Sequence, residues 1–153
     1  MNKYEQFYDE YSRRQGVVVH RGCPEDLIIY AEKIINRKFP RSYRTMLSMF
    51  GWMQVYSDIV YGLGPDVSDA ESVLEVSVFE GVHADPPMLN RLIPIVAVGN
   101  GDHFCLDTAK ITDGDCCVVL WEHDHPKGIM QRPRKQCGSL IEWLEKLYER
   151  DVY

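Results

Sequence analysis

The segment from Ile93 to Pro126, IPIVAVGNGDHFCLDTAKITDGDCCVVLWEHDHP, constrains the fold more than any other part of the chain. It holds three apolar runs, Ile93–Val98, His103–Asp107 and Cys116–Trp121, separated by Gly99-Asn100-Gly101-Asp102 and by Asp113-Gly114-Asp115. Short runs rich in Val, Ile, Phe and Trp and bounded by Gly, Asn and Asp are strand signals. Gly-Asn-Gly-Asp supplies residues that accept positive φ, as a tight hairpin connection requires. The expectation is a three-stranded antiparallel meander. Its last strand, Cys116–Trp121, is apolar throughout and is expected to sit centrally, buried on both faces.

Around that meander, 153 residues with 45% hydrophobic content suffice for one domain with a real core. No run approaches the roughly 18 apolar residues of a membrane span. The N-terminus, Met-Asn-Lys-Tyr-Glu-Gln-Phe, is charged and aromatic with no apolar signal region. Five cysteines (Cys23, Cys105, Cys116, Cys117 and Cys137) form no C-x-x-C pair, and their odd number argues against a disulfide framework. A cytoplasmic protein with inert thiols is expected.

The net charge of −6 conceals an asymmetry. Residues 45–125 carry thirteen Asp and Glu against only Arg91 and Lys110, a net of −11. Residues 1–44 carry nine basic and six acidic groups, and residues 126–153 six and four. An acidic middle repels phosphate backbones, which disfavours direct nucleic-acid binding through it. The same field would steer and hold a basic protein partner. Ordinary solvated surface accounts for such charge equally well.

In chain order, Tyr4, Phe7, Tyr8 and Tyr11 fall at helical spacing within residues 2–14 and predict a helix that docks by an aromatic stripe. Val17–Val19 reads as extended. Pro24, Glu25 and Asp26 open a helix whose apolar face is Leu27, Ile28, Ala31, Ile34 and Ile35, ended by Asn36-Arg37-Lys38. Pro40 opens the next, with Tyr43, Met46, Leu47 and Phe50 on its face and Gly51 as the stop. Trp52–Tyr61 reads as one or two strands. Asp69–His83 is rich in Val73, Val76, Val78 and Val82, which are poor helix formers. Pro126–Gly138 reads as a basic, flexible surface loop. Ser139-x-x-Glu142 is a capping box for a terminal helix with Leu140, Trp143, Leu144 and Leu147 inward. The fold class expected is α+β: a largely antiparallel sheet with helices packed against it, in a single domain. Residues 1–22 form an N-terminal helical extension and 23–153 the core.

Glu122-His123-Asp124-His125 is the most chemical-looking stretch. Strand alternation would put the two histidines on one face and the two carboxylates on the other. With Asp102 and Asp107 nearby, a metal-dependent hydrolase can be imagined. The spacing matches no zinc signature, so no metal is assigned. Gly99-x-Gly101 precedes a strand rather than a helix, so a hairpin turn is the better reading than a phosphate cradle. Cys105 and Cys116-Cys117 lie in apolar settings that raise a thiol pKa, Cys23 and Cys137 are the more exposed candidates, and no base is identified beside any of them. No catalytic residue and no cofactor are assigned. Trp121, Tyr43 and Trp143 are core candidates. Trp52, Tyr56 and Tyr61 beside carboxylates read equally well as a covered sheet face or as interface anchors.

Several of these residues carry a resemblance. Ile-Pro-Ile, Gly99-Asn-Gly-Asp102, Phe104-Cys-Leu-Asp107 and Val118-Val-Leu-Trp-Glu-His-Asp124 resemble the SUKH superfamily, which groups bacterial immunity proteins with the domain of a fungal cell-wall synthesis regulator. Phe39-Pro40-Arg41-Ser42-Tyr43-Arg44, with Leu47 and Phe50-Gly51, resembles that family's Leu-Pro-x-x-Tyr-Arg helix start, and Tyr61-Gly62-Leu63 its next landmark. The blocks keep the family's order from about Cys23 onward. The resemblance implies a helix over Asp69–His83 and marks Pro40, Tyr43, Gly101, Asp102, Asp107 and Trp121 as structural. Asp102 and Asp107 are expected to hydrogen-bond backbone at the turn and strand end. It further implies a non-enzymatic immunity protein that neutralises a cognate toxin, commonly a nuclease of the RNase type with a basic active site. The partner-binding candidates, chosen on charge and expected exposure, are Asp58, Tyr61, Asp66, Asp69, Glu122 and Asp124. Two alternatives stay open: a regulatory protein-interaction scaffold, and a hydrolase using Asp102, Glu122, His123 and His125.

Overall fold

In the computed structural model, which describes residues 1–152, the chain runs α1 (Lys3–Tyr11), β1 (Val17–Val19), α2 (Glu25–Ile35), α3 (Arg41–Phe50), β2 (Met53–Val55) and β3 (Asp58–Val60). It continues through α4 (Val73–Val78), β4 (Leu92–Ala97), β5 (His103–Asp107), β6 (Val118–Trp121), β7 (Arg134–Cys137) and α5 (Leu140–Tyr148). The strands form two antiparallel sheets, β1-β2-β3 and β4-β5-β6-β7. Tyr61 joins them: its N–H donates to the Ile95 carbonyl at 2.8 Å. The fold is α+β.

The expected meander is present and has a fourth strand. Residues 134–137, read from sequence as loop, pair with β6, with Leu120 opposite Arg134 and Val118 opposite Cys137. β7 is an edge strand, and only Cys137 of its Arg-Lys-Gln-Cys is buried. Charged edges discourage sheet-to-sheet association, and they also erase the apolar signal that announces a strand. β6 is interior as expected but starts at Val118, because the Cys117 carbonyl accepts the Asp107 N–H and closes the turn there. In β4 the register shifts between Pro94 and Val96, where proline removes a ladder donor.

Strand alternation explains why β6 is apolar on both sides. Phe104, Leu106 and Val118 face the main core with Tyr43, Trp143 and Leu144. Cys105, Val119 and Trp121 face the other way, into a smaller cluster closed by Met88 and Leu92. The aromatic stripe of α1 enters the main core. Tyr8 and Tyr11 are fully buried, and their hydroxyls donate to the carbonyls of Ser42 (2.7 Å) and Leu144 (2.8 Å). Asn2 and Glu5 make a reciprocal capping box at its start.

Three helical expectations need correction. On α2, Ile34 is 50% exposed and Glu32 is buried in its place. Glu32 accepts from the Phe39 N–H at 2.7 Å and from Arg44 at 3.0 Å, so a paired charge occupies a position read as apolar. The single helix expected over 69–83 is three pieces: a 3-10 turn (Asp69–Glu71), α4, and a π-helical turn (Phe79–His83). Ser72 interrupts it in extended conformation, bridging Gly62 through backbone while its hydroxyl caps α4. At α5 only half of the capping box forms. Ser139 accepts from Glu142 N–H, while the Glu142 carboxylate takes the Gly138 N–H instead.

Candidate functional site

The smaller cluster is bordered by polar side chains that four separate segments bring together. Glu80 comes from the π-helical turn, Tyr61 from the junction after β3, Asp102 and His103 from the start of β5, and His123 with Asp124 from the turn after β6. Glu80, Tyr61, Asp102 and His103 are each less than a tenth exposed. The Tyr61 hydroxyl lies 3.4 Å from His103 Nε2, and Glu80 Oε1 lies 3.6 Å from His103 Nδ1. The latter exceeds hydrogen-bond length, and Nδ1 is buried with no partner. Burial lowers the His103 pKa against the opposing pull of Asp102, and burial raises that of Glu80 against the pull of His123.

Asp102 and His123 form a closed pair. Asp102 Oδ1 accepts both the His123 backbone N–H at 3.0 Å and ring Nδ1 at 2.6 Å. A carboxylate can only accept, so Nδ1 carries the proton. Burial alone would raise the Asp102 pKa, but the hydrogen bonds from His123 outweigh it and hold the carboxyl below its usual range. The Asp102 bond raises the pKa of His123. Gly101 permits the arrangement. Its φ is +101°, and a Cβ there would meet the His123 ring at 2.7 Å.

The expected split of residues 122–125 between two strand faces does not occur, because β6 ends at Trp121 and the four residues form a turn. Glu122 lies 3.9 Å from His125 Nε2, away from the Asp102–His123 pair. The group that does converge is Asp102, His123 and Asp124, with ligand atoms within 4.8 Å of one another. His123 Nδ1 and Asp102 Oδ1 are committed to each other, leaving ring Nε2 and Asp124 as the outward donors. The thiols do not suit nucleophilic chemistry. Burial raises the pKa of Cys105 well above its ordinary value and pushes Cys116 to about 12 and Cys23 to about 11. Cys23 and Cys137, expected near the surface, are buried, and Cys117 is the one partly exposed.

Of the partner-binding candidates, Asp66, Asp69 and Asp124 are exposed and Asp58 and Glu122 half-buried, while Tyr61 is only 7% exposed. Tyr61 faces inward because its backbone bridges the sheets and its carbonyl accepts the Tyr43 hydroxyl at 2.5 Å. Among the residues marked as structural, Pro40 is the N-cap of α3 and Trp121 is fully buried. Asp107 caps the turn at Ala109 N–H and pairs with Arg91 at 3.2 Å. A residue that sequence reading passed over is Asp115. Its Oδ1 accepts from Ser42 Oγ (2.9 Å), Cys116 N–H (2.7 Å) and Leu140 N–H (2.9 Å), tying the start of α3 to the start of α5. Nothing in its local sequence marks this role.

The acidic charge is unevenly neutralised. Asp66 pairs with Arg21, Asp107 with Arg91 and Asp113 with Lys3. Asp69, Glu71, Glu75, Asp85 and Asp124 pair with no Lys or Arg among the described residues. Four of these five lie between residues 69 and 85, the segment that also supplies Glu80 to the buried cluster. No helix of the described residues is long and apolar enough to cross a membrane.

With two antiparallel sheets joined at Tyr61 and helices packed on them, the molecule is an α+β domain. The family model described as SMI1-KNR4 cell-wall, SUKH_6, matches residues 25–143, and the chain belongs to the SUKH superfamily. Domains of that family are generally immunity or regulatory proteins rather than enzymes and typically interact with toxin proteins. Membership is consistent with an immunity-protein role.

Proposed function

We propose that this chain is an immunity protein that binds one cognate toxin and neutralises it by covering a basic, nucleic-acid-cleaving active site. The observation that carries the reading is the set of unpaired carboxylates, Asp69, Glu71, Glu75, Asp85 and Asp124, in a family of toxin binders. A nuclease must hold phosphate with a basic cleft, and a surface with its cations removed complements such a cleft. Carboxylates with no Lys or Arg partner among the described residues are available to an incoming cation without first breaking an internal ion pair. The partner is thus a protein with a basic domain; neither direct nucleic-acid contact nor a membrane role enters the mechanism. Inhibition is stoichiometric occlusion, with no cofactor and no turnover by this chain.

The test is to isolate the toxin that co-purifies with the chain from its native cell and to measure binding of that toxin's basic domain as salt rises. Tight one-to-one association that weakens steeply between about 50 and 500 mM salt is expected, since exposed charge pairs are screened over that range. Reversing Glu122 and Asp124 together should cost about tenfold or more in affinity, the scale of one close charge pair. Salt-independent association, with no effect of that double reversal, would sink the electrostatic mechanism. Recovery of several unrelated partners instead of one toxin would favour the scaffold alternative.

A further inference from the structure

The part of this surface best suited to anchor a partner is a groove between α2 and the α4–π-helical segment. Its walls include Ile34 of α2 and Val78 and Val82 of the opposite side, with Met88 and Leu92 at its base. Ile34 is 50% exposed and Val82 70% exposed. Tyr30, one helical turn before Ile34 and hence on the same stripe, is 54% exposed. Phe79, next to Val78, is 56% exposed. Scattered exposed apolar residues need no explanation, but a grouping along one groove marks an interaction surface.

Charge selects the occupant. The chain on the α4–π-helical side, residues 72–90, carries Glu75, Glu80 and Asp85 and no Lys or Arg, and Glu80 is turned inward. Glu75 stands on the α4 stripe that continues through Val78, and Asp85 follows the π-helical turn; both are exposed and unpaired among the described residues. On the other wall Arg37 is engaged on Asn90, donating to its carbonyl at 3.1 Å and to its side-chain oxygen at 2.7 Å, while Lys33 flanks Ile34, so the acidic edge is that of the α4–π-helical side. An apolar centre with an acidic edge fits a partner that presents an aliphatic or aromatic side chain flanked by Lys or Arg.

We infer that this groove receives an apolar anchor of the toxin's basic domain, with Ile34 and Val82 as the contact residues and Glu75 and Asp85 as the charged rim. The inference rests on the proposed immunity function and deepens it by naming where the partner is held.

The experiment titrates the chain with the same toxin domain, inactivated in its own active site, and determines the mass of the free chain by light scattering. Ile34→Glu and Val82→Glu should each weaken binding on the order of 30-fold, the scale of an interface hot spot, with an unchanged melting temperature because both side chains already meet solvent. The double reversal Glu75→Lys with Asp85→Lys should weaken it about tenfold at low salt and less at high salt. Glu149→Lys, the same charge change at the exposed end of α5, should leave it unchanged. Wild-type binding by I34E and V82E, with loss on reversing Glu122 and Asp124, would overturn the groove and leave the immunity reading standing. Absence of toxin binding by the wild type would overturn both. A free chain that is dimeric, and that V82E makes monomeric with toxin binding intact, would reassign the groove to self-association and overturn the inference.

Discussion

Two buried carboxylates of this molecule meet opposite fates. Asp115 and Glu80 are both less than a tenth exposed, yet Asp115 accepts three short hydrogen bonds and Glu80 stops 3.6 Å short of its nearest partner, His103. Asp115 satisfies donors that would otherwise be orphaned, including the first N–H of α5. Glu80 and His103 leave His103 Nδ1 buried without a hydrogen bond. A fully satisfied buried polar group rigidifies its surroundings, whereas a partly satisfied one leaves an arrangement that is easy to disturb. The first lies where helices join the main core. The second lies beneath the acidic segment assigned to the partner. Firm support at one end and slack at the other suits the proposed role, in which the slack end meets the partner.

The largest expected effect tests the firm end. Asp115→Ala leaves the Ser42 hydroxyl and the Cys116 and Leu140 N–H groups without acceptors, and should destabilise the protein by about 3 kcal/mol or more. For a chain of this size that lowers the melting temperature by about 10 °C. Asp115→Asn keeps one acceptor oxygen and should lose about half as much. If thermal unfolding shows both variants within about 1 kcal/mol of wild type, the junction is not firm and the contrast fails.

A smaller effect is expected at the slack end. Gly101→Ala forces a side chain into φ +101° and against the His123 ring, costing about 2 kcal/mol. Combining it with His123→Ala removes the collision and leaves the backbone strain, so the double variant should cost less than the two single changes added. Strict additivity in urea unfolding would show that the ring already moves freely and that Asp102 does not hold it.

Both ends were unequally legible in the sequence. The meander could be read because Ile93–Val98, His103–Asp107 and Cys116–Trp121 are apolar runs with Gly and Asp between them. The tyrosines of α1 were readable for the same reason, since an apolar stripe is a local pattern. Asp115 and Glu32 were not, because burying a carboxylate depends on donors distant along the chain: Leu140 is 25 residues from Asp115, and Ser42 is 73. β7 was missed because an edge strand of Arg, Lys and Gln carries no hydrophobic period. Tyr61 was placed among surface candidates because its neighbours are polar, while its burial comes from Tyr43 and Ile95. The site followed the same rule. The acidic segment was visible as composition, but that Glu80 turns inward while Glu75 and Asp85 remain unpaired depends on a π-helical turn that no local pattern announces.

The smallest effect separates the groups of the slack cluster by the sign of their pH dependence. His103 has its pKa lowered from 6.5 by burial, so the unfolded chain binds its proton more readily. The stability it contributes is present above pH 6.5 and is lost as pH falls through the lowered value. Glu80 has its pKa raised from 4.5 by burial, so its contribution is full below pH 4.5 and is lost as pH rises through the raised value. His123, raised from 6.5 by its bond to Asp102, contributes below pH 6.5 and loses that contribution as pH rises. Between pH 4.5 and 6.5 the His103 and Glu80 contributions oppose each other and flatten the wild-type profile. His103→Gln removes the rising contribution, so its urea midpoint should tilt downward with pH relative to wild type. Glu80→Gln removes the falling one and should tilt upward. His123→Gln should abolish the decline above pH 6.5 and, because it also removes the pull of His123 on Glu80 and His103, tilt the lower window slightly downward. Tilts of the same sign for the first two variants would mean that His103 and Glu80 titrate as one hydrogen-bonded pair, and the slack cluster would then be as firmly closed as Asp115.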